Sequence, residues 1–239
     1  MFRWNAEMVR FMRDASERSD YHQRLVRWML PDLHPADHIC DAGCGLGYLS
    51  LALSPYVRRV TAADRSEEAL SVLRENCARR GIGNIDILPG DLLRAAAPAA
   101  LYDAMVFSFF GRMEEIAAIA RTRCRGTVFV FKKNYTIHRF SVERHPLGHE
   151  GFRAGAEWLT ARGVPFVSAE LELEMGQPLR SMAEARRFFE LYSRDADKSL
   201  ITDAFLREKL VPTGQAEYPW YLPHTRSVGC LKFSSEDLK

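Results

Sequence analysis

Three aspartates and a run of glycines are the residues of this sequence whose types and spacing could bind a small polar ligand. Residues 39–47 read ICDAGCGLG, so Asp41 ends an apolar run and three glycines follow it. Asp64 ends a second apolar run, and Asp91 follows a third. In open α/β sheets ligands bind beyond the carboxyl ends of the strands. We therefore expect the three carboxylates to line one site.

The glycines of this run are Gly43, Gly45 and Gly47. Glycine permits positive φ and lets a backbone approach a ligand closely, and the start of the next helix offers free N–H groups to a carboxylate. A dinucleotide fingerprint places its third glycine one position later, and Asp41 would repel a pyrophosphate. Asp41 suits a cationic amino group instead. S-adenosylmethionine (SAM) carries one, beside a carboxylate that Gly45 and its neighbours can receive.

The other two carboxylates fit the rest of such a ligand. An acid at the end of a second strand accepts hydrogen bonds from ribose hydroxyls, which is the position of Asp64. Asp91 could accept a hydrogen bond from an exocyclic amino group such as that of adenine, with Leu92 against the ring face. The competing interpretations are a helix N-cap for Asp64 and a loop or cap residue for Asp91.

Strand-like and helix-like segments alternate around these residues. Strands are predicted at 38–42, 57–64, 84–91, 101–110 and 127–133, and helices at 46–54, 66–81 and 112–121. Ser66 is a natural N-cap, and Gly81 suits the position after the last helical turn. Such alternation predicts βαβ units and a parallel α/β sheet with helices on both faces.

The second half of the chain is organised differently. It contains predicted helices at 148–163, 181–195 and 199–210, an alternating and therefore antiparallel strand within 164–175, and a final strand at 227–233. We divide the chain into N-terminal helices and lid (1–34), a SAM-binding core (35–175), a small inserted cap (176–226), and a last strand with a tail (227–239).

ICDAGCGLG, TAADRS, PGDLL and YDAMVFS resemble, in order, the motifs of class I SAM-dependent methyltransferases over residues 35–133. The resemblance implies a Rossmann-like seven-stranded, mostly parallel sheet ending in an antiparallel hairpin, which here carries the insertion. It places Asp41 at the methionine moiety, Asp64 at the ribose, Asp91 at the adenine, and Ser108 with Phe109 at the transferable methyl group. The residues expected to bind the cofactor are Asp41, Gly43, Cys44, Gly45, Gly47, Asp64, Arg65, Asp91, Leu92 and Ser108.

Catalytic residues do not follow from SAM binding, because the leaving group is already activated. His138 and His145 are candidates for a general base near neutral pH, although surface histidines would look the same. Tyr21, at the start of a helix-like run, is a third catalytic candidate and a possible lid residue, with packing at the helix start as the alternative. We expect no metal site, since Pro146 interrupts the helix that His145 and His149 would need to converge.

Several residues bear on the acceptor. Residues 108–111 read SFFG and depart from the Asn/Asp-Pro-Pro-Tyr/Phe pattern of many methyltransferases that act on exocyclic base nitrogens. Lys132 and Lys133 end the fifth strand and favour an anionic acceptor, unless they form a solvated rim. Some aromatic residues could line an acceptor pocket, with core packing as the alternative: Phe188, Phe189, Tyr192, Tyr218, Trp220 and Tyr221.

Composition and net charge limit the classes of protein and of acceptor that the sequence allows. The net charge is only +2, the five cysteines form no C-x-x-C pair, and neither a signal peptide nor a membrane-spanning run is evident. We expect a cytoplasmic enzyme that methylates a small molecule, with nucleic acid a less favoured partner and no membrane contact. The alternatives are an RNA or protein methyltransferase and a non-catalytic SAM-binding subunit. Oxygen, nitrogen, carbon and sulfur acceptors and all oligomeric states stay open.

Overall fold

The alternation of strands and helices predicted for the first half of the chain is present in the computed structural model, which describes residues 4–92, 101–134, 140, 142, 151–193 and 197–238. The helices are α1 (Ala6–Glu17), α2 (Tyr21–Met29), α3 (Tyr48–Leu53), α4 (Glu67–Arg80), α5 (Met113–Arg123), α6 (Phe152–Ala161), α7 (Met182–Tyr192) and α8 (Asp203–Lys209). The strands are β1 (His38–Ala42), β2 (Arg59–Asp64), β3 (Ile85–Pro89), β4 (Tyr102–Ser108), β5 (Cys124–Lys133), β6 (Val167–Glu174), β7 (Gln177–Leu179), β8 (Val211–Pro212), β9 (Trp220–Leu222) and β10 (Thr225–Ser234).

Seven of these strands form one sheet in the order β3-β2-β1-β4-β5-β10-β6. The first five run parallel, whereas β10 pairs antiparallel with both β5 and β6. The predicted fold class, a Rossmann-like mostly parallel sheet with a C-terminal antiparallel hairpin, is therefore confirmed. The chain leaves β1 in one direction and returns to its other side as β4, and this reversal creates a crevice at the carboxyl ends of the two strands.

Side chains that alternate between the two faces of the sheet build a hydrophobic core on each face. Phe129 and Phe131 of β5 pack with the helix α2, while Val128 and Val130 face α5 on the opposite side. Successive side chains of a strand point to opposite faces, so both rows of β5 are apolar because both faces are covered by helices.

The two ends of α4 are capped by the residues predicted from the sequence. Ser66 accepts the backbone N–H of Ala69 at 3.3 Å, and Gly81 has a left-handed φ of 63°. Both satisfy backbone groups that a helix end leaves without intrahelical partners. These caps fix where α4 starts and stops, and thereby the spacing between β2 and β3.

One boundary differs from the sequence prediction. The fourth strand was expected to reach residue 110, but β4 ends at Ser108 and Phe109 takes a left-handed φ of 55°. Phe109 still donates its backbone N–H to the carbonyl oxygen of Phe131 at 2.9 Å. The chain therefore turns at Phe109 while it remains attached to β5.

The segment between β6 and β10 forms a small sheet, in the order β7-β9-β8, with α7 and α8. The N-terminal helix α1 packs on this segment, and the rings of Phe11 and Phe188 meet edge-on at 5.0 Å. Asp14 of α1 pairs with Arg180 at 2.6 Å. The four-part division of the chain stays a prediction, although this contact ties its first and third parts together. In the described ranges no helix has the length and apolarity required to cross a bilayer.

Candidate active site

A cavity of about 500 Å³ opens at the carboxyl ends of the central strands. All ten residues predicted to bind a cofactor line it, namely Asp41, Gly43, Cys44, Gly45, Gly47, Asp64, Arg65, Asp91, Leu92 and Ser108. Their convergence follows from the parallel sheet, because the loops after β1, β2, β3 and β4 meet at one edge. Their role in binding SAM stays a prediction.

The turn after β1 requires glycine at specific positions. Gly43, Gly45 and Gly47 have φ values of 73°, 55° and 76°, in the left-handed region. A Cβ atom on Gly43 would lie 2.4 Å from the ring of Phe110, and one on Gly47 would lie 2.4 Å from the side chain of Leu73. Glycine is therefore required both for the backbone conformation and for close packing.

Asp41 is a buried carboxylate that faces this cavity. Its side chain accepts a hydrogen bond from the Ser50 hydroxyl at 2.6 Å through Oδ2, while Oδ1 is buried with no hydrogen-bond partner among the described residues. Burial raises the pKa of Asp41 to about 6, and the charge of Asp64 adds to the effect although the Ser50 bond opposes it. A buried carboxylate with an unused acceptor atom attracts a cationic donor.

Asp64 organises the walls of the cavity. Its Oδ2 accepts the backbone N–H of Gly45 at 2.9 Å, and its Oδ1 accepts that of Ser66 at 2.9 Å. Ser66, and not Asp64, is the N-cap of α4, and Asp64 binds the backbone of that cap residue. Since each carboxylate oxygen has a second acceptor site, both oxygens keep capacity for a ligand.

Asp91 and its neighbours form the far wall. A guanidinium nitrogen of Arg65 lies 4.0 Å from Asp91 Oδ2, at the outer limit of an ion pair. Leu92 is buried and lines the cavity beside them. This wall combines an acceptor with an apolar surface, which is the combination that a purine ring requires.

Of the three candidate catalytic residues, Tyr21 lies at the cavity, while His138 and His145 lie outside the described residues. Tyr21 is the buried first residue of α2, and the Arg226 guanidinium lies 5.5 Å from its ring centre. The neighbouring His22 also lines the cavity. Burial and the Arg226 charge lower the pKa of His22 to about 3, so its ring is neutral at physiological pH. No cluster of three metal-ligating side chains occurs in the described part of the chain.

The two lysines at the end of β5 have different surroundings. Lys132 is buried and donates its ammonium N–H to the carbonyl oxygen of Gly111 at 2.7 Å. Lys133 lines the cavity, and burial together with the charge of Arg226 lowers its pKa. The expectation that both lysines serve the acceptor is therefore corrected, because strand alternation turns Lys132 to the opposite face.

The aromatic residues of the insertion do not line this cavity. Phe188 and Phe189 belong to a core cluster shared with α1 and α8. Tyr218 is buried beside Arg180, which donates to its hydroxyl at 2.6 Å, and the Tyr221 hydroxyl pairs with Glu174. Core packing is therefore the role of Phe188 and Phe189, with Tyr192 and Trp220 packed against them, whereas Tyr218 and Tyr221 make polar contacts away from the cavity.

Five further residues that line the cavity lie outside the sequence motifs: Trp4, Met12, Ser16, Met175 and Arg226. The first three belong to α1 or precede it, so the helical spacing of Met12 and Ser16 was an available signal. Met175 precedes the insertion and Arg226 ends it, both more than 120 residues beyond the glycine turn. The antiparallel pairing of β10 with β5 and β6 brings these two residues to the site.

Comparison with known proteins agrees with this geometry. A family model described as a methyltransferase domain matches residues 39–125. This range contains the glycine turn and all three aspartates. Residues 39–125 thus form a methyltransferase domain of the class I SAM-dependent type. This domain type accounts for the strand order and for the position of the cavity beside the glycine turn.

Two curated relatives match the core of this methyltransferase. A probable cobalt-precorrin-6B C(15)-methyltransferase (decarboxylating) from Methanothermobacter thermautotrophicus is 36% identical over 91 residues, which are 37% of this chain and 47% of that protein. A tRNA/tmRNA (uracil-C(5))-methyltransferase from Campylobacter curvus is 30% identical over 67 residues, which are 28% of this chain and 18% of that protein. The chain thus spans less than half the length of these relatives.

A solved structure extends the likeness to most of the fold. The precorrin 8W decarboxylase of Methanobacterium thermoautotrophicum superposes with a TM-score of 0.54 at 22% identity, covering 88% of each chain. At this identity the likeness concerns the fold of the methyltransferase. It leaves the acceptor to be argued from the cavity itself.

Proposed function

We propose that this methyltransferase transfers the methyl group of SAM to a small-molecule acceptor. The observation that supports it is one cavity that joins the three carboxylates Asp41, Asp64 and Asp91 to residues of the N-terminal helices. The carboxylates fit the polar groups of SAM, and residues of α1 and α2 line the same cavity. A concave site of this kind favours a small acceptor that enters whole.

The residues present fit SAM. The unused Oδ1 atom of Asp41 fits the cationic amino group, because a buried acceptor without a donor is costly. Asp64 keeps acceptor capacity for the ribose hydroxyls, and Asp91 with Leu92 fits the adenine ring. When bound, SAM supplies a methyl group on a sulfonium, whose sulfur leaves without needing a proton.

The protein's own contribution would be to position the acceptor and exclude water. Tyr21 of α2 and Met12 of α1 line the cavity, and so does Met175, which follows the end of β6. Positioning reacting groups in a water-poor site is sufficient to accelerate a displacement by many orders of magnitude. Tyr21 would orient the acceptor, because it is buried at the cavity beside the cationic Arg226.

A small-molecule acceptor is also the kind named for one relative, whose acceptor is a cobalt-precorrin. The second relative is named for tRNA and tmRNA, so RNA is the rival acceptor. The modest net charge of +2 favours the small molecule. Methyl incorporation into RNA that falls steeply with salt, with none into small molecules, would establish the rival.

Cofactor binding is tested by thermal-shift titration of the purified chain with SAM, S-adenosylhomocysteine, NAD and ATP, followed by calorimetry. A ligand that binds only the folded state raises the melting temperature by mass action. We expect a rise with SAM and S-adenosylhomocysteine alone. A response to NAD instead would refute the assignment.

Turnover is tested separately, with radiolabelled SAM and pools of small molecules, RNA and proteins. Label transferred to a small molecule supports the proposal. Binding of SAM without transfer to any pool would indicate a non-catalytic SAM-binding subunit.

A further inference from the structure

We propose that Lys133 and Arg226 together bind an oxyanion, a carboxylate or phosphate, on the small-molecule acceptor. This inference rests on the proposed function and specifies the chemistry of its acceptor. It combines two residues that lie 93 positions apart in the sequence and line the same cavity.

Strand register places the two cationic side chains on one face of the sheet. Lys133, the last residue of β5, pairs with Val228 of β10, and Arg226 lies two residues before Val228. In an antiparallel pair such diagonal neighbours lie on the same face, about 7–8 Å apart. Long side chains span that distance, so both charges can reach one anion.

This pair has no carboxylate partner in the described ranges. Neither Lys133 nor Arg226 forms an ion pair there, and Arg226 Nε is buried without a hydrogen-bond acceptor. A buried guanidinium nitrogen with no acceptor is costly unless a ligand supplies one. An oxyanion is the group that supplies it.

The surroundings reinforce this interpretation. Burial and, after it, the charge of Arg226 lower the pKa values of His22 and Lys133. Burial raises the pKa of Tyr192, and the charge of Arg226 opposes that rise. No carboxylate contributes to the shift of any of the three. His22 is neutral at physiological pH and therefore neither adds to nor offsets the charge. The lowered pKa of Lys133 is the response expected of an ammonium that is partly buried beside a second cation.

The position of the pair separates it from the cofactor end of the cavity. Asp41 is the next-to-last residue of β1, whereas Lys133 ends β5, and β4 lies between these two strands. Two strand spacings amount to about 10 Å. The carboxylates that fit SAM thus lie on one side and the cations on the other. Ser108, at the end of the intervening strand, and Phe109, directly after it, lie between them. An acceptor anchored at the cations would extend toward this middle strand.

The test uses the accessibility of the Lys133 amine, measured by reductive methylation and mass spectrometry of the full chain with S-adenosylhomocysteine. Benzoate and phenyl phosphate serve as anionic probes, and benzamide is the neutral control. We expect at least one anion to slow labelling of Lys133 about threefold or more. Benzamide should have no effect, and the exposed Lys209 should label at an unchanged rate.

Two variants separate charge from packing. Arg226→Gln should abolish the protection by anions, and Arg226→Lys should retain it because the charge is kept. If Arg226→Gln fails to fold, the comparison of benzoate with benzamide in the unchanged protein still decides the question. Equal protection by benzamide, no protection by either anion, or protection that persists in folded Arg226→Gln would overturn the proposal.

Calorimetry with S-adenosylhomocysteine identifies which ligand the cations serve. An unchanged affinity in Arg226→Gln supports the acceptor assignment. A loss of tenfold or more would overturn it, because the pair would then bind the cofactor's own carboxylate. Failure of the proposed function would look different from failure of this inference, because S-adenosylhomocysteine would then not bind even the unchanged protein.

Discussion

Asp64, at the end of β2, accepts the backbone N–H of Gly45 at 2.9 Å and so holds the turn that follows β1. The same carboxylate accepts the N–H of Ser66 at the start of α4. One side chain thereby fixes the relative positions of two loops that line the cavity. Substitution at Asp64 should consequently affect both stability and ligand binding.

We expect Asp64→Ala to weaken the binding of S-adenosylhomocysteine by roughly 1–3 kcal/mol and to lower the free energy of unfolding by about 1–2 kcal/mol. Calorimetry and urea denaturation measure the two effects. The matched control is Asp86→Ala on the neighbouring strand, where the Asp86 side chain is 44% exposed and pairs with Arg59. An Asp64 variant that bound the ligand as tightly as the Asp86 variant would disprove the ribose assignment.

The residues of the glycine turn and the three aspartates were predictable because each is local to a strand end. In a parallel sheet those ends meet at one edge. Once the apolar runs before Asp41, Asp64 and Asp91 are recognised as strands, the proximity of these residues follows. The caps Ser66 and Gly81 were predictable for the same local reason, since each satisfies the backbone of its own helix end.

Arg226 could not be found in this way. It reaches the cavity because β10 inserts between β5 and β6, and register between distant strands depends on packing that one sequence does not encode locally. The early end of β4 was missed for a related reason. Phe109 resembles a continuing strand residue in type, but its left-handed φ is set by the tertiary turn at the cavity.

The short distance between Gly47 and the Leu73 side chain leads to a prediction about stability. A left-handed backbone costs a residue with a Cβ atom about 1–2 kcal/mol, and a Cβ on Gly47 would also lie 2.4 Å from the Leu73 side chain. We expect Gly47→Ala to destabilise the fold by about 1–3 kcal/mol more than backbone strain alone.

Gly81→Ala is the control, because Gly81 has a similar φ of 63° and open space around its Cβ position. Urea denaturation of the two variants isolates the packing component. Equal destabilisation would show that α4 moves away from the turn at little cost.

The ion pair between Asp14 and Arg180 predicts how α1 is held over the cavity. Asp14 is 7% exposed and Arg180 is 37% exposed, so the pair is partly screened by solvent. We expect Asp14→Asn to cost about 1–2 kcal/mol of stability. It should also speed amide hydrogen exchange in residues 6–17 and weaken S-adenosylhomocysteine binding, because Met12 and Ser16 of the same helix line the cavity.

Glu7→Gln provides the comparison for α1. Glu7 pairs with Arg187 on the exposed side of the same helix, with both side chains at least 36% exposed. Such a pair contributes about 0–1 kcal/mol. Hydrogen exchange in α1 that rises equally in both variants would mean that the buried pair has no special part in docking the helix.

The buried Asp41 predicts a dependence of stability on pH with a definite sign. Its pKa is raised to about 6 in the folded protein from an ordinary value near 3.8. Between these values the folded state binds the additional proton, so the contribution of Asp41 to stability is present below pH 4 and is lost as the pH rises through 6. The loss amounts to about 3 kcal/mol at most. We expect Asp41→Asn to remove it, so that the variant gains stability relative to the unchanged protein as the pH rises.

Urea denaturation of both proteins from pH 4 to pH 7 measures this difference. His22 adds a slope of opposite sign, since burial lowers its pKa to about 3, but its contribution is present in both proteins and cancels. The same substitution should have the opposite effect on ligand binding. Asp41→Asn should weaken the binding of S-adenosylhomocysteine by about 1.5–3 kcal/mol, because a neutral amide replaces the partner of a cationic amino group. A stability difference that stays flat from pH 4 to 7 would show that Asp41 ionises freely in the fold, and a variant that gained stability but kept full affinity would show that the amino group binds elsewhere.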